Sequence, residues 1–199
     1  QLGYRLAQFN LARLYQHGVG TALDLEKAVY WYQQAAYQHF PEALYNLAHC
    51  YQRGHGIKQD YALAIHYYTQ AAELNFPEAQ LNLAFLLFNG ITTAQIPADK
   101  TTALSWLTKA AHAGLAIAQR MLAECYQRGD GIEADINQAV HWYELAASQQ
   151  DTLAMHNLGF IYQTLRVDHS RACHWYSASA HAGNENSLKA LHYLSLIHI

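Results

Sequence analysis

The sequence is poor in charged residues. Only 14% of its 199 residues are Asp, Glu, Lys or Arg, whereas an ordinary soluble domain has about 25%. With 12 Lys and Arg against 15 Asp and Glu, the net charge is -3, and such a chain has too few cations to follow a phosphate backbone. Because 52% of the residues are hydrophobic, the composition is also the opposite of that of a disordered segment.

Cysteine and long apolar runs are scarce as well. The three cysteines, Cys50, Cys125 and Cys173, are too few for a disulfide framework, and we expect them to be small apolar core residues. No uninterrupted apolar run approaches the roughly 18 residues that a membrane span needs. We therefore predict no insertion into a membrane.

Sequence signatures of catalysis and of metal binding are missing too. The chain contains no G-x-S-x-G segment, no P-loop and no dinucleotide-binding fingerprint. Neither Asp99 nor Glu124 has a second acid at a spacing that pairs two carboxylates. The 13 histidines include no pair four residues apart, the spacing at which a helix presents two metal ligands. We predict no catalytic residue, no metal and no cofactor.

What the sequence does contain is a tandem repeat. Successive units open on equivalent alanines at offsets of 36, 36, 39 and 36 residues: Ala7, Ala43, Ala79, Ala118 and Ala154. One phase of this period holds all four tryptophans together with a single tyrosine: Trp31, Tyr67, Trp106, Trp142 and Trp175. Composition alone does not place every tryptophan at one phase, so the repeat decides the fold class.

Each unit has the pattern of two short helices, here called helix A and helix B. In the first unit, the apolar residues of helix A and then of helix B recur at helical spacing. Glycines are predicted to end helix A at equivalent turns: Gly18, Gly54 and Gly129. Asp24 and its equivalents are predicted to cap helix B. One unit cannot bury both faces alone, and stacked units can, so we predict an all-α solenoid in which the tryptophans pack between neighbouring units.

These residues resemble the SEL-1-like repeat family, a relative of the tetratricopeptide repeats. The resemblance rests on A-x3-L-[AG]-x2-Y-x2-G-x-G followed by D-x3-A-x2-W-Y-x2-A-A, which units one, two and four match nearly throughout. It implies a right-handed α-solenoid of about five 36-residue repeats, at about 5–40, 41–76, 77–115, 116–151 and 152–184, with a partial unit at 185–193. Unit three departs by a longer loop through Pro97, and unit five by the shorter turn 164–167.

Residues 194–199 match one reading frame of a sequencing-library adapter, and we expect this tail to be non-native. On that interpretation, residues 1–193 form a single array that is an internal fragment of a longer bacterial protein. The resemblance favours a periplasmic or secreted location without establishing one.

The resemblance also implies a binding surface, because helix A lines the concave groove of such stacks. The positions projected onto that groove combine amides, aromatic rings and charges: Asn10, Asn46, Asn82, Asn157, Phe9, Tyr45, Arg13, His49, Phe85, Arg120, Glu124, His156 and Phe160. Aromatic and Arg side chains favour binding hot spots, and amides pair with a peptide backbone. Asn at this place is equally compatible with a hydrogen bond to the neighbouring helix, and both interpretations stay open.

We predict a non-enzymatic scaffold or adaptor, monomeric, that binds a protein or peptide on its helix A face. The alternative is a SEL-1-like protein that binds or hydrolyses cell-wall peptides or β-lactams. Bacterial relatives linked to that activity carry two cysteines per unit, a pattern this chain lacks. The net charge of -3 disfavours a third candidate, RNA binding.

Overall fold

The structure, a computed structural model, describes residues 2–197, and the side chains of residues 4–195 within them. It has eleven α-helices in that range: α1 Leu2–His17, α2 Leu25–Ala36, α3 Pro41–Arg53, α4 Tyr61–Glu73, α5 Pro77–Asn89, α6 Lys100–His112, α7 Ala116–Arg128, α8 Ile136–Ser148, α9 Thr152–Thr164, α10 His169–His181 and α11 Glu185–Ile197. A short 3-10 helix spans Thr92–Ala94, and the β pairing within the described residues is one bridge between Ile91 and Ile96. The odd-numbered helices are helix A of successive repeats and the even-numbered ones helix B.

The chain divides into two compact units, Gln1–Lys109 and Ala110–Ile199. Within the first, helix B packs against helix A of its own repeat and against helix A of the next, as α2 does with α1 and α3. The second unit repeats this arrangement, with α8 packed against α7 and α9, and α10 against α9 and α11. The predicted all-α solenoid is therefore confirmed.

The ends of the helices follow from the residues found there. Asp24, Asp60 and Asp135 stand just before helix B, and each carboxylate accepts a hydrogen bond from a backbone N–H of the first turn. Such a cap contributes about 1 kcal/mol. Pro41 and Pro77 occupy the first position of helix A, where a missing N–H costs nothing.

The core consists of small residues and tyrosines. Equivalent alanines in α1 to α8 and in α10 are buried, which lets neighbouring helices approach closely: Ala12, Ala28, Ala48, Ala64, Ala84, Ala103, Ala123, Ala139 and Ala172. The largest fully buried side chains of helix B are four tyrosines at one phase of the repeat: Tyr32, Tyr68, Tyr143 and Tyr176.

The tryptophans contribute less to this core than the sequence suggested. Trp142 is 7% exposed, but Trp31, Trp106 and Trp175 are only partly buried, as is Tyr67. Adjacent residues on a helix point about 100° apart, and the residue after each tryptophan is the more deeply buried of the two: Tyr32, Leu107, Tyr143 and Tyr176.

The turns from helix B to the next helix A share an unusual backbone conformation. His39, Asn75 and Gln150 have φ of 52°, 59° and 67°, and the equivalent Gly114 and Gly183 have φ of 95° and 94°. This left-handed region favours glycine, because a Cβ there comes close to the following carbonyl. The chain thus reverses direction at one fixed position, with or without a glycine.

The two divergent repeats differ in the turn that follows helix A. After α5, Gly90 has φ of 63°, and a Cβ on it would lie 2.7 Å from the backbone nitrogen of Ala98, so only glycine fits there. After α9, Val167 takes φ of 49° in the shortened turn. Residues 194–197 continue α11, while 198–199 lie outside the described residues, and the non-native origin of 194–199 stays a prediction.

Candidate protein-binding faces on helix A

The predicted groove residues lie on helix A in both units, and each set is described separately. The N-terminal helix A face is defined by Phe9, Asn10, Arg13, Tyr45, Asn46, His49, Asn82 and Phe85. The C-terminal helix A face is defined by Arg120, Glu124, His156, Asn157 and Phe160.

The asparagines are held in different ways. Asn82 Nδ2 lies 3.3 Å from both the Tyr45 and the Tyr68 hydroxyl oxygens, and Asn157 Nδ2 donates to the Tyr143 hydroxyl across 3.1 Å. Asn46 Nδ2 instead donates to the Glu42 carbonyl oxygen of its own helix, at 2.7 Å, and Asn10 is exposed. Asn82 and Asn157 therefore link helices of consecutive repeats.

The four buried tyrosines of helix B each have a glutamine partner that the sequence pattern did not predict. The hydroxyl donates to the Oε1 of a glutamine near the end of helix A of the same repeat, in the pairs Tyr32–Gln16, Tyr68–Gln52 (2.8 Å), Tyr143–Gln127 (2.7 Å) and Tyr176–Gln163 (2.9 Å). Burial raises the pKa of these phenols, to about 12 for Tyr176, because the charged form is disfavoured away from water.

A Gln–Tyr–Asn relay, Gln52–Tyr68–Asn82 from the second repeat and Gln127–Tyr143–Asn157 from the fourth, thus connects helix A, helix B and the next helix A. The positions equivalent to Gln52, Tyr68 and Asn82 one repeat on hold Phe88 and Leu107 in the third repeat and Met121 in the fourth. All three polar side chains are replaced together, which fits the cost of leaving one buried polar group without its partner. The constant phase of the glutamines was the signal in the sequence that could have revealed this network.

Aromatic residues line the N-terminal helix A face beside the amides. Phe9 meets Phe40 edge to face at 5.3 Å between ring centroids and lies 5.8 Å from Tyr32. Tyr45 occupies the equivalent place, 5.3 Å from Phe76 and 5.7 Å from Tyr68. These rings are half-buried and fixed by their neighbours, so they present a preformed apolar surface.

The next position along helix A is more exposed. Arg13 is exposed, with its Cζ 5.9 Å from the Phe9 ring centroid. Phe85, its equivalent two repeats on, exposes 53% of its surface. His49 is half-buried with its ring 6.1 Å from that of His55. Its pKa lies below the ordinary value because of burial and then because of the neighbouring Arg53 and His55.

On the C-terminal helix A face, charge is paired. Arg120 Nε contacts Asp151 Oδ2 and Arg120 Nη1 contacts Glu124 Oε1, both at 3.1 Å. Burial disfavours the charged guanidinium, but the two carboxylates outweigh it and raise the pKa of Arg120. Asp151 also accepts the backbone N–H of Ala154, so this ion pair helps to fix the start of α9.

His156 and Phe160 complete this face. His156 Nδ1 lies 2.8 Å from the buried Ser187 Oγ, and its ring centroid is 5.4 Å from that of Tyr176. Burial lowers the pKa of His156. Phe160 exposes 45% of its surface, at the position that Phe85 occupies in the third repeat. Contacts between predicted residues within these faces include those of Asn82 with Tyr45, Arg13 with Phe9 and Arg120 with Glu124.

Other reactive groups lie apart from these faces. The thiols of Cys50 and Cys125 are buried, and burial raises the pKa of Cys50 to about 11. Over the residues that the structure describes, no three His, Cys, Asp or Glu side chains are placed to hold a metal ion. In the same part of the chain, no helix combines the length and the apolar character needed to cross a membrane.

Several solved structures share this fold. A Sel1 repeat protein from Oxalobacter formigenes has a TM-score of 0.81 at 30% identity, over 94% of this chain and 76% of that one. The c5321 protective antigen of uropathogenic Escherichia coli, with an SLR fold, has a TM-score of 0.83 at 28% identity, over 94% of this chain and 40% of that one.

Curated relatives are much longer than this chain. Chitin synthase regulatory factor 3 of Schizosaccharomyces pombe is 31% identical over 148 residues, which are 74% of this chain and 12% of that protein. The chain spans between 9% and 15% of the length of the curated relatives it matches.

The Sel1 repeat family model matches nearly the whole sequence. It matches five times, at residues 5–40, 41–76, 77–115, 116–151 and 152–184. Sel1 repeats generally mediate protein–protein interaction and form non-catalytic scaffolds. On the repeat pattern, the fold and these matches together, the chain belongs to the Sel1 repeat family.

Proposed function

We propose that this protein is a non-enzymatic scaffold or adaptor that binds a peptide or protein partner through its helix A faces. The observation that carries this proposal is an element that occurs once on each face. In this element an asparagine is hydrogen-bonded to a buried tyrosine, and an exposed phenylalanine lies three residues later on the same helix. The two pairs are Asn82 with Phe85 and Asn157 with Phe160.

This element has the properties of a binding anchor. Residues three apart on a helix share a face, so the ring and the amide can contact one ligand together. The hydrogen bond to tyrosine fixes the amide, and its Oδ1 makes no hydrogen bond within the described residues, so the amide can still accept one from a peptide N–H. Covering an exposed ring adds apolar burial worth about 25 cal/mol per Å².

The β-lactam or cell-wall enzyme alternative is not favoured. The matches consist of Sel1 repeats, which generally serve protein–protein interaction. The Cys50 thiol is buried, with its pKa raised to about 11, whereas a cysteine nucleophile needs an accessible thiolate.

Selection from a displayed library of random short peptides tests the proposal. Selected peptides should bind Phe85→Ala or Phe160→Ala at least about fivefold more weakly, since truncating a hot-spot aromatic costs at least about 1 kcal/mol. Tyr37→Ala is the matched control, because Tyr37 is 88% exposed but follows helix B. Unchanged binding to both Phe variants, or an equal loss in Tyr37→Ala, contradicts the proposal.

A further inference from the structure

The last turns of helix A in the first two repeats carry a cluster of basic side chains, two arginines and three histidines. Arg13 and His17 lie on α1, His49 and Arg53 lie on α3, and His55 follows the C-cap residue Gly54. These five residues define the basic patch. All but the half-buried His49 are exposed, and Arg13, His17, His49 and Arg53 occupy one face, because they repeat at spacings of four and 36 residues.

The arginines of the basic patch have no acidic partner. Among the described residues, neither Arg13 nor Arg53 forms an ion pair. Glu42, the acid on α3, is eleven residues from Arg53, about 16 Å along the helix at 1.5 Å per residue. Asp24, at the start of the adjacent helix B, is already bound to Lys27 at 2.8 Å. Both guanidinium groups are therefore free of an ion pair within the described residues.

The equivalent part of the C-terminal helix A face is built differently. Glu124 stands where the first two repeats have Arg13 and His49, and it is paired with Arg120 at 3.1 Å. Arg128 occupies the place of Arg53, one turn after Glu124. The basic patch is thus a property of the first two repeats rather than of every helix A end.

We infer that the basic patch binds an acidic segment of the partner protein, with the partner's carboxylates placed against Arg13 and Arg53. This rests on the proposed function, whose face it extends. Apolar side chains of the segment would lie against the neighbouring Phe9 and Phe85. An unpaired guanidinium binds a carboxylate with two parallel hydrogen bonds, and opposite charge accelerates the encounter.

A protein segment fits this patch better than a nucleic acid does. Two arginines are few for a phosphate backbone, where affinity grows with each phosphate neutralised. The patch also continues into Asn46, whose amide Oδ1 suits a peptide N–H. Burial, and then the nearby Arg53 and His55, lower the pKa of His49. This direction agrees with a site that lacks a negative charge.

The test uses the full chain and a fluorescein-labelled peptide of alternating Glu and Phe, with the Gln and Phe peptide of equal length as its control. We expect Arg13→Gln with Arg53→Gln to weaken binding of the Glu peptide about tenfold, the combined effect of two partly exposed ion pairs. Arg128→Gln, at the equivalent helix end, should change binding less than about twofold. Affinity should also fall with added salt, which screens exposed charges.

Each other outcome overturns the inference in a recognisable way. Equal binding of the Glu and Gln peptides would show that the peptide's negative charge does not contribute to affinity, while leaving the proposed peptide-binding face intact. An equal loss in Arg128→Gln would indicate nonspecific attraction. Displacement of the Glu peptide by single-stranded RNA at low concentration would identify the patch as a nucleic-acid site. No binding of the Glu peptide would remove the acidic segment as the ligand.

Discussion

The side-chain amide of Asn157 donates a hydrogen bond to the hydroxyl oxygen of Tyr143 across 3.1 Å, which ties helix A of the fifth repeat to helix B of the fourth. The Tyr143 hydroxyl in turn donates a hydrogen bond to Gln127 Oε1 at 2.7 Å. A residue expected to face a ligand thus also holds two repeats together, and the two roles make separable predictions.

Asn157→Ala should destabilise the protein by about 1 kcal/mol, the typical contribution of a part-buried hydrogen bond. For a chain of this length, that corresponds to a fall in Tm of about 2–4 °C. Asn46→Ala is the control, since Asn46 bonds only within its own helix, and its Tm should barely change. Thermal unfolding followed by circular dichroism measures both, and equal losses would show that the link between repeats adds nothing.

The relay in the second repeat should behave as one unit. Tyr68→Leu alone leaves Gln52 and Asn82 without the hydroxyl they share, and it should cost about 2–5 kcal/mol. Adding Gln52→Phe and Asn82→Met copies the residues Phe88, Leu107 and Met121 and should recover part of that loss, because the two amides left without the Tyr68 hydroxyl are then replaced by apolar side chains. The midpoint of urea unfolding reports this, and a triple variant less stable than the single one would refute it.

Gly159 is specific to its repeat, although four other repeats hold alanine at that position. A Cβ on Gly159 would lie 2.6 Å from Cδ1 of Tyr176. Gly159→Ala should therefore destabilise by about 1–3 kcal/mol through overpacking, despite the better helix propensity of alanine. Ala123→Gly is the reverse control and should lose about 1 kcal/mol through propensity. A rise in Tm for Gly159→Ala would show that the Tyr176 ring moves aside freely.

Stability should fall on mild acidification, partly through His156. Burial lowers its pKa in the folded state, so the unfolded chain, with an ordinary pKa of about 6.5, binds the proton more readily. This contribution is complete above about pH 6.5 and is lost as the pH falls from there toward the folded-state pKa. His156→Gln should show a smaller drop in Tm than the wild type between neutral and mildly acidic pH. Parallel curves would exclude His156 as a contributor.

The sequence predicted the helices well because their limits are local. Pro41 and Asp60 define helix starts through their own backbone chemistry, and Gly54 ends α3 with φ of 71°. The choice of the buried aromatic was harder, since Trp31 and Tyr32 both satisfy the helical period. Which of them lies deeper depends on the angle of the neighbouring helix, which no single repeat encodes.

The candidate site was predictable only in outline. Periodicity put Asn46 and Asn82 at one phase, yet the first bonds its own helix and the second two tyrosines. A rotamer decides between these partners, and a rotamer depends on packing across repeats. Which arginines are ion-paired also could not be read from the sequence. Arg120 is paired with Asp151, 31 residues away, whereas Arg13 and Arg53 of the basic patch form no ion pair within the described residues.

The left-handed turn residues His39, Asn75 and Gln150 bear on how such arrays can change. Each takes a conformation that glycine adopts with less strain, and each lies in the turn between helix B of one repeat and helix A of the next. Because each repeat contacts only its neighbours, relieving the backbone strain of one turn would stabilise the interface between those two repeats and leave distant interfaces unchanged. Designers can therefore adjust the stability of a Sel1 array one turn at a time, through glycine at this single position, without changing either helix A face.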